Sequence, residues 1–211
     1  MGAKVIVSEN TAADLPKVHD YKKDFFVNKA KMFTNENYPK LGKPDIIFQH
    51  SYTLKLENGD QVDHKELALS GISSHQTVAL IKKVDALIVG DLIHYKVHAW
   101  LEGGLINGTV KPNIKNWISD LEEILSTYSQ YPKLNIYAGR GATTLLTTAV
   151  SEQTQYLLKA EEIVKKYILD LGEKKSELDT AKAQIHYEKL KSLFEKEFPD
   201  YKYSYMIQYS V

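Results

Sequence analysis

The segment "DALIVGDLIHYKVHAWL" (Asp85–Leu101) decides the fold class of this 211-residue chain. It opens with a run of apolar residues, which is typical of a strand buried inside a sheet. A Gly-Asp pair follows the run, and His94 and His98 come shortly after Asp91. Carboxylates and imidazoles are ligands of zinc. Asp91 is therefore either a metal ligand or a residue that caps the loop after a strand by accepting backbone N–H bonds.

The composition narrows the class of protein. With 27 basic and 27 acidic residues the formal net charge is zero, so no global charge favours nucleic acid or an anionic membrane. The absence of cysteine excludes disulfides, thiolate metal sites and cysteine nucleophiles. The opening "MGAKVIVSENTAADLP" is too polar for a signal peptide or a membrane span. We expect a soluble, cytoplasmic protein of one domain, or one domain with an appendage.

The segments around the opening stretch predict a mixed α/β fold with helices covering a sheet. "TVALI" and "DALIVG" form a strand pair joined by a short turn, and both are so apolar that we expect cover on both faces. Asn58–Gly59 is a strong hairpin signal, with the return strand running to about Leu69. Further strands are predicted at 3–7 and 133–139. Helices are predicted at 11–33, from Ile114, through most of 144–171 and over 175–198.

The C-terminal part is predicted to be an appendage. A soft boundary near Leu171–Ser176 divides an α/β region (1–170) from a helix and a tyrosine-rich tail (171–211). The tyrosines of the tail alternate in part, which favours a half-buried extended strand. The apolar residues available for one face of the helix are Leu178, Ile185, Leu190, Leu193 and Phe194.

Three segments together resemble a known superfamily. "GISSHQTVALI" (Gly71–Ile81), the Asp85–Leu101 segment and "LNIYAGRGA" (Leu134–Ala142) resemble, in order and spacing, the second half of a metallo-β-lactamase-fold hydrolase. The opening "GAKVIVSENTAADL" and the later "FPDY" are similar to segments of the same superfamily, so that the resemblance covers most of residues 2–205. It implies part of an αββα sandwich with one or two zinc ions at the sheet edge, and hydrolysis by a metal-bound hydroxide.

The chain departs from the superfamily pattern at the metal ligands. Members carry an HxHxDH motif before the segment with which this chain starts, so we expect the first half of the sandwich to be missing. A ligand histidine in a Gly-His-Ser segment falls on Ile72, or on Gly71 in a shifted alignment. A second, in a Gly-His-Gly segment, falls on Arg140. The bridging aspartate of the superfamily is retained as Asp91.

Other residues offer partial replacements for the lost ligands. His75 lies three residues after Ile72, on a loop that could turn it inward. His94 and His98 would share a face on a helix, which is a common zinc spacing, but the segment resembles a loop and His98 is expected to line the cleft. Arg140 cannot bind a cation. It either pairs with Asp91 in place of the metal charge, lies exposed on a glycine-flanked turn, or binds an anion; we favour the pair with Asp91.

Three functions follow from these residues. The first is a ligand-depleted, truncated protein without autonomous hydrolase activity or cofactor, acting as a homo-oligomer or with a partner chain that covers the exposed sheet face. The second is a zinc-dependent hydrolase of esters, amides or phosphodiesters, with a rearranged site of Asp91, His75, His94 and His98 or with its N-terminal half supplied separately. The third is a small-ligand binding module with Arg140 as an anion clamp.

Overall fold

The structure is a computed structural model that describes residues 3–209. Its strands are β1 (Ile6–Ser8), β2 (Ile46–Phe48), β3 (Ser51–Lys55), β4 (Gln61–Glu66), β5 (Thr77–Ile81), β6 (Ala86–Tyr95), β7 (Gly104–Ile106), β8 (Thr109–Lys111), β9 (Asn135–Gly141) and β10 (Thr144–Leu145). Its α-helices are α1 (Glu9–Asp24), α2 (Ile114–Thr127), α3 (Leu146–Leu171) and α4 (Ala183–Glu197). A π-helical turn (Phe25–Lys29) and 3₁₀ segments (Lys82–Val84, Gly172–Asp179, Ser204–Tyr209) complete the described elements.

A six-stranded mixed sheet in the order β10-β9-β6-β5-β4-β3 forms the centre of the fold. Strands β6 and β9 pair in parallel, while the other neighbours are antiparallel. The Asn58–Gly59 hairpin lies where the sequence predicts it, with Gly59 at a φ of +84° that a side chain would disfavour. The predicted α/β class is confirmed. No helix within residues 3–209 is long and apolar enough to cross a bilayer.

The N-terminal segment forms a separate two-stranded sheet, which is joined to the end of β4 by the hydrogen bond from Ser8 to Glu66. Strand β1 pairs in parallel with β2, and Ser8 caps α1 by accepting the Thr11 N–H at 3.2 Å. The predicted helix over 11–33 begins two residues earlier, and its α-helical part ends at Asp24. A Ser/Thr side chain at this position satisfies one of the free N–H groups of the first turn.

One face of the sheet carries the hydrophobic core. Leu87 and Val89 of β6 and Ile136 of β9 are fully buried there, beneath Leu121 of α2 and Leu157 of α3. The apolar residues of α2 recur at helical spacing, which is why a single stripe of this helix meets the sheet. Its first turn is capped by Asn113, whose side chain accepts the Asn116 N–H at 3.0 Å.

The opposite face of the sheet is open at β6 and β9, so the prediction of cover on both faces is wrong there. At the β3 and β4 end, the buried ring of Phe48 packs against Tyr52 and His64. Ile88 and Tyr137 are 45% and 47% exposed. Side chains alternate along each strand, so paired residues of neighbouring strands share a face. One uninterrupted row therefore crosses five strands on this side, which we call the open face: Tyr52, His64, Ala79, Ile88 and Tyr137. Apolarity alone did not distinguish one covered face from two.

Helix α4 confirms the predicted stripe in part: Leu190 and Phe194 are buried as expected, whereas Ile185, Leu193 and Leu178 are not. His186, Leu190 and Phe194 face the core at intervals of one helical turn. Ile185 and Leu193 lie on the flank and are 56% and 41% exposed. Leu178, the fifth residue proposed for this face, precedes the helix in a 3₁₀ segment.

The tyrosine-rich tail is not the extended strand that its alternation predicted. Its described part forms a 3₁₀ helix from Ser204 that packs against α4 and buries Met206 and Ile207. Its only strand-like contact among residues 3–209 is a bridge between Val97 and Lys202. In this helical turn Met206 and Ile207, although adjacent, are both buried, whereas a regular strand would point them to opposite faces.

Gly71 gives a test of the packing between the loop before β5 and α2. A methyl group at this position would lie 2.6 Å from the Cα atom of Trp117, so the helix backbone itself would have to move. We expect Gly71→Ala to lower the free energy of unfolding by about 2 kcal/mol through overpacking. Gly42→Ala is the control, since nothing lies within 4 Å of the added methyl. Equal urea midpoints for the two variants would contradict this packing.

Candidate functional site

The candidate site is built on an irregular part of β6. From Ile88 to His94 this strand advances six residues, while its neighbour β9 advances three, from Tyr137 to Arg140. Such a bulge bends a strand and re-aims its side chains. The bulge begins at Gly90, whose φ is +54°. As a result Leu92 and Ile93 both point into the core although they are adjacent, and Asp91 points outward.

Side chains from two helices satisfy backbone groups of the bulge. The indole Nε1 of Trp117 in α2 donates to the carbonyl oxygen of Leu92 at 2.7 Å. The backbone N–H of His94 donates to Oε1 of Gln153 in α3, also at 2.7 Å. A buried backbone group without a partner costs about 1–3 kcal/mol, so these two bonds hold the irregular segment in place.

Asp91 and Arg140 form the ion pair that the sequence favoured. Nη1 of Arg140 donates to Oδ2 of Asp91 at 2.9 Å, and the two side chains are about equally half-exposed. Gly139 makes this approach possible, because a methyl group there would overlap Oδ1 of Asp91. The loop-capping alternative for Asp91 is not what the structure shows: its carboxylate accepts from a side chain across the strand pair.

His94 lies behind this ion pair, fully buried. Its ring packs edge-to-face against Trp117, with centroids 6.1 Å apart. Its Nε2 is 3.8 Å from Oδ1 of Asp91, beyond hydrogen-bond length, and neither ring nitrogen has a hydrogen-bond partner. Burial lowers the pKa of His94 to about 4; Asp91 opposes this shift and Arg140 adds to it. The imidazole is therefore neutral at pH 7.

His98 belongs to a different part of the molecule. It follows β6 in an extended segment, so His94 and His98 do not share a helical face. Its Nδ1 is 3.2 Å from the hydroxyl of Tyr156, and its ring is surrounded by aromatic side chains, including Phe194 and Tyr201. Burial lowers its pKa to about 4. His98 is thus a residue of the aromatic core and does not line a cleft.

The remaining candidates, His75 and Ile72, also lie away from Asp91 in their contacts. Nε2 of His75 is 3.1 Å from Oδ2 of Asp14, and Nδ1 is 3.8 Å from Oε1 of Glu66. The ring therefore links helix α1 to the end of β4. Ile72 is buried in the hydrophobic core.

These residues do not fit the zinc ion that the resemblance implies. A catalytic zinc takes three close nitrogen, oxygen or sulfur ligands from the protein. Among residues 3–209 no group of three or more histidine, aspartate and glutamate side chains is arranged to hold a metal. The carboxylate of Asp91 is engaged by a guanidinium, whose charge opposes a second cation. The structure brings together Asp91, Arg140 and His94, and it separates His75 and His98 from them.

A buried carboxylate beside this region was not among the predicted residues. Asp120 in α2 is fully buried, and neither of its oxygens has a hydrogen bond of good geometry. Burial raises its pKa to about 7, against a smaller opposing contribution from the backbone of Leu69. Its burial could have been predicted from the sequence. Asp120 follows Trp117 by three residues and precedes Ile124 by four, so it falls on the apolar stripe of α2.

The opposing charges around His94 give a test by titration. We expect Arg140→Ala to raise the pKa of His94, because a neighbouring positive charge is removed, and Asp91→Asn to lower it. Histidine side-chain NMR shifts followed from pH 7 to pH 3.5 measure both. His98 is the internal control, since neither charge acts on it. Shifts of the same sign in the two variants would contradict the arrangement.

Asp120 makes stability depend on pH in a defined direction. Its pKa is raised in the folded state, so the unfolded chain releases its proton from about pH 4 upward while the folded chain keeps it until about pH 7. The wild type therefore loses stability over this window relative to an uncharged variant. We expect the advantage of Asp120→Asn over the wild type to grow by roughly 3 kcal/mol between pH 4 and pH 8 in urea unfolding. A pH-independent difference would exclude a titrating Asp120.

Comparison with known proteins agrees with this architecture. No protein-family model matches the sequence, and no curated protein matches it. Among solved structures, a metallo-β-lactamase family protein from Thermus thermophilus is similar over 79% of this chain and 56% of its own, with 14% identity and a TM-score of 0.53. A metallo-β-lactamase from Pontibacter korlensis is similar over 74% and 59%, with 16% identity and a TM-score of 0.50. The chain spans less than two thirds of either structure, and over this length it has the metallo-β-lactamase fold.

Proposed function

We propose that this chain has no autonomous hydrolase activity and acts by associating through its open face. The observation that carries the first half of the proposal is the Asp91–Arg140 ion pair at 2.9 Å. Arg140 stands where the resemblance implies a ligand histidine, and Ile72, at the other implied position, offers no donor atom. The guanidinium takes over the role of the metal charge beside the retained aspartate.

Electrostatics supports this substitution. The pair is half-exposed, and pairs of this kind contribute roughly 1 kcal/mol or less to stability. The guanidinium nevertheless occupies the Asp91 carboxylate, and its positive charge opposes an entering cation. Arginine keeps its charge at any pH at which the protein is folded. His94, the nearest imidazole, is neutral and buried behind the pair. It has neither the exposure nor the second and third ligands that a hydrolytic zinc requires.

The open face supports the second half of the proposal. Its row of Tyr52, His64, Ala79, Ile88 and Tyr137 contains no carboxylate and no lysine or arginine. A next row across the same side contains Ile81, Ala86, Asn135 and Leu145. An uncharged, apolar surface of this kind favours association. Because it carries no like charges to repel, two copies of the same face are compatible in a two-fold dimer.

Zinc content tests the loss of the metal site. After exchange against buffered zinc and removal of free ions, we expect elemental analysis to give far less than one zinc per chain, for the wild type and for Asp91→Ala alike. We also expect no turnover of a chromogenic β-lactam, an aryl ester or an aryl phosphodiester. One equivalent of zinc that disappears in Asp91→Ala would instead establish the zinc-dependent hydrolase.

Sedimentation tests association through the open face. We expect a dimer for the wild type and a monomer for Ile88→Lys, because a lysine at the centre of the row would be buried without a partner. Leu158→Lys is the matched control: Leu158 is 52% exposed on helix α3, away from the sheet, and its variant should remain dimeric. A monomeric wild type, or the same effect from both variants, would rule out this surface.

A further inference from the structure

Strand β3 is an unpaired edge of the central sheet. It lies last in the strand order and pairs with β4 alone. The bonds from Glu66 N to His50 O and from Leu56 N to Asp60 O fix which residues face the partner strand. In an antiparallel ladder, residues whose backbone groups face the partner strand alternate with residues whose backbone groups point away from it. The N–H and C=O groups of Thr53 and Lys55 therefore point outward, and within residues 3–209 they have no partner.

A polar cleft of about 850 Å³ lies beside this edge. Thr53 forms part of its rim, and Tyr128 at the end of α2 forms part of its buried wall. A cleft of this size accommodates several side chains. It is separate from the Asp91–Arg140 site. Asp63 and Lys65 line it from the helix-covered side of β4, and His64 and Glu66 line it from the other side of the same strand.

The cleft is lined by charged groups, with acidic groups in excess. Asp63 pairs with Lys82 at 2.9 Å, and Lys65 pairs with Glu123 at 2.8 Å. Glu66 is a third carboxylate in the lining; it accepts from the hydroxyl of Ser8 and the side-chain amide of Asn10 and has no lysine or arginine partner. Three carboxylates against two ammonium groups leave one negative charge among these acidic and lysine side chains. Burial raises the pKa of Tyr128 to about 12, with smaller contributions from the charges of Asp63 and Glu123 and from Tyr131.

We propose that β3 binds an extended peptide by strand addition, and that a lysine or arginine of this peptide enters the acidic cleft. The outward groups of Thr53 and Lys55 supply main-chain hydrogen bonds of the kind used in this mode of recognition. Alternate residues of the added strand, about 7 Å apart, point to the side of the cleft. The hydroxyl of Thr53 donates to Asp63. The outward main-chain groups of Thr53 therefore lie next to a carboxylate of the cleft.

Fluorescence anisotropy with defined peptides tests the charge preference. The probe is fluorescein-labelled Thr-Lys-Thr-Lys-Thr, compared with Thr-Glu-Thr-Glu-Thr and with the lysine peptide methylated at alternate backbone nitrogens. We expect the unmodified lysine peptide to bind at least tenfold more tightly than either comparison peptide. Asp63→Asn should weaken it several-fold. Equal affinities for the lysine and glutamate peptides, or no binding of the lysine peptide, would overturn the proposal.

Thr53→Pro tests the main-chain pairing. Proline is tolerated on an edge strand where the N–H faces solvent, and here it removes an outward donor. We expect at least a tenfold loss of affinity for the lysine peptide, with an unchanged circular dichroism spectrum. Thr53→Val is the control: it lacks the hydroxyl but keeps the N–H, and should bind within about threefold of the wild type. Equal binding by Thr53→Pro and Thr53→Val would overturn the proposal.

A second copy of the chain is the competing occupant of the edge. If Thr53→Pro converted a dimer into a monomer, the edge would serve self-association and the peptide proposal would fail. The proposed dimer through the open face is tested separately by Ile88→Lys. That variant should leave peptide affinity unchanged, because Ile88 lies on β6, two strands from β4, and does not line the cleft.

Discussion

The bulge in β6 is the constraint on which the rest of the site depends. It frees the Leu92 carbonyl and the His94 N–H from regular pairing, and these buried groups need other partners. Trp117 and Gln153 provide them from α2 and α3, each at 2.7 Å. The same two bonds therefore dock both core helices and fix the strand geometry that turns Asp91 outward. An ordinary strand here would place Asp91 and His94 differently and would leave both helix side chains without partners.

Burial is the main reason why a histidine next to an aspartate remains neutral, and the charge of Arg140 adds to it. In a pair of Asp91 and His94 alone, the carboxylate would favour the imidazolium form. Arg140 already neutralises that carboxylate from the solvent side, and burial against Trp117 penalises a charge on His94. Arg140 thus acts on two neighbours at once. It pairs with the carboxylate of Asp91, and its charge adds to the effect of burial that lowers the pKa of His94.

The parts of the fold that the sequence predicted are those specified by local interactions. The Asn58–Gly59 hairpin, the β5–β6 turn and the stripe of α2 depend on residues close in the chain. The exposure of Ile88 depends on what covers the sheet, and an apolar run looks the same in either case. The His75–Asp14 contact joins residues 61 positions apart, which no spacing rule reveals. The Asp91–Arg140 pair was predictable across 49 positions because the resemblance placed both residues at one site.

The central sheet has one unpaired surface at the open face and another at the edge strand β3. They differ in polarity, and this difference determines what kind of partner each could bind. The open face is apolar, so exposure to water is unfavourable over its whole area and burial by any complementary apolar surface is favourable. The edge at β3 has polar groups that water satisfies, so pairing there gains little unless the partner also supplies recognition. In the proposed binding mode, the carboxylate of Glu66 adds a negative charge to the two ion pairs beside this edge. The proposed association through the face would be driven by buried area, whereas the proposed binding at the edge would select for the charge and extended conformation of the partner.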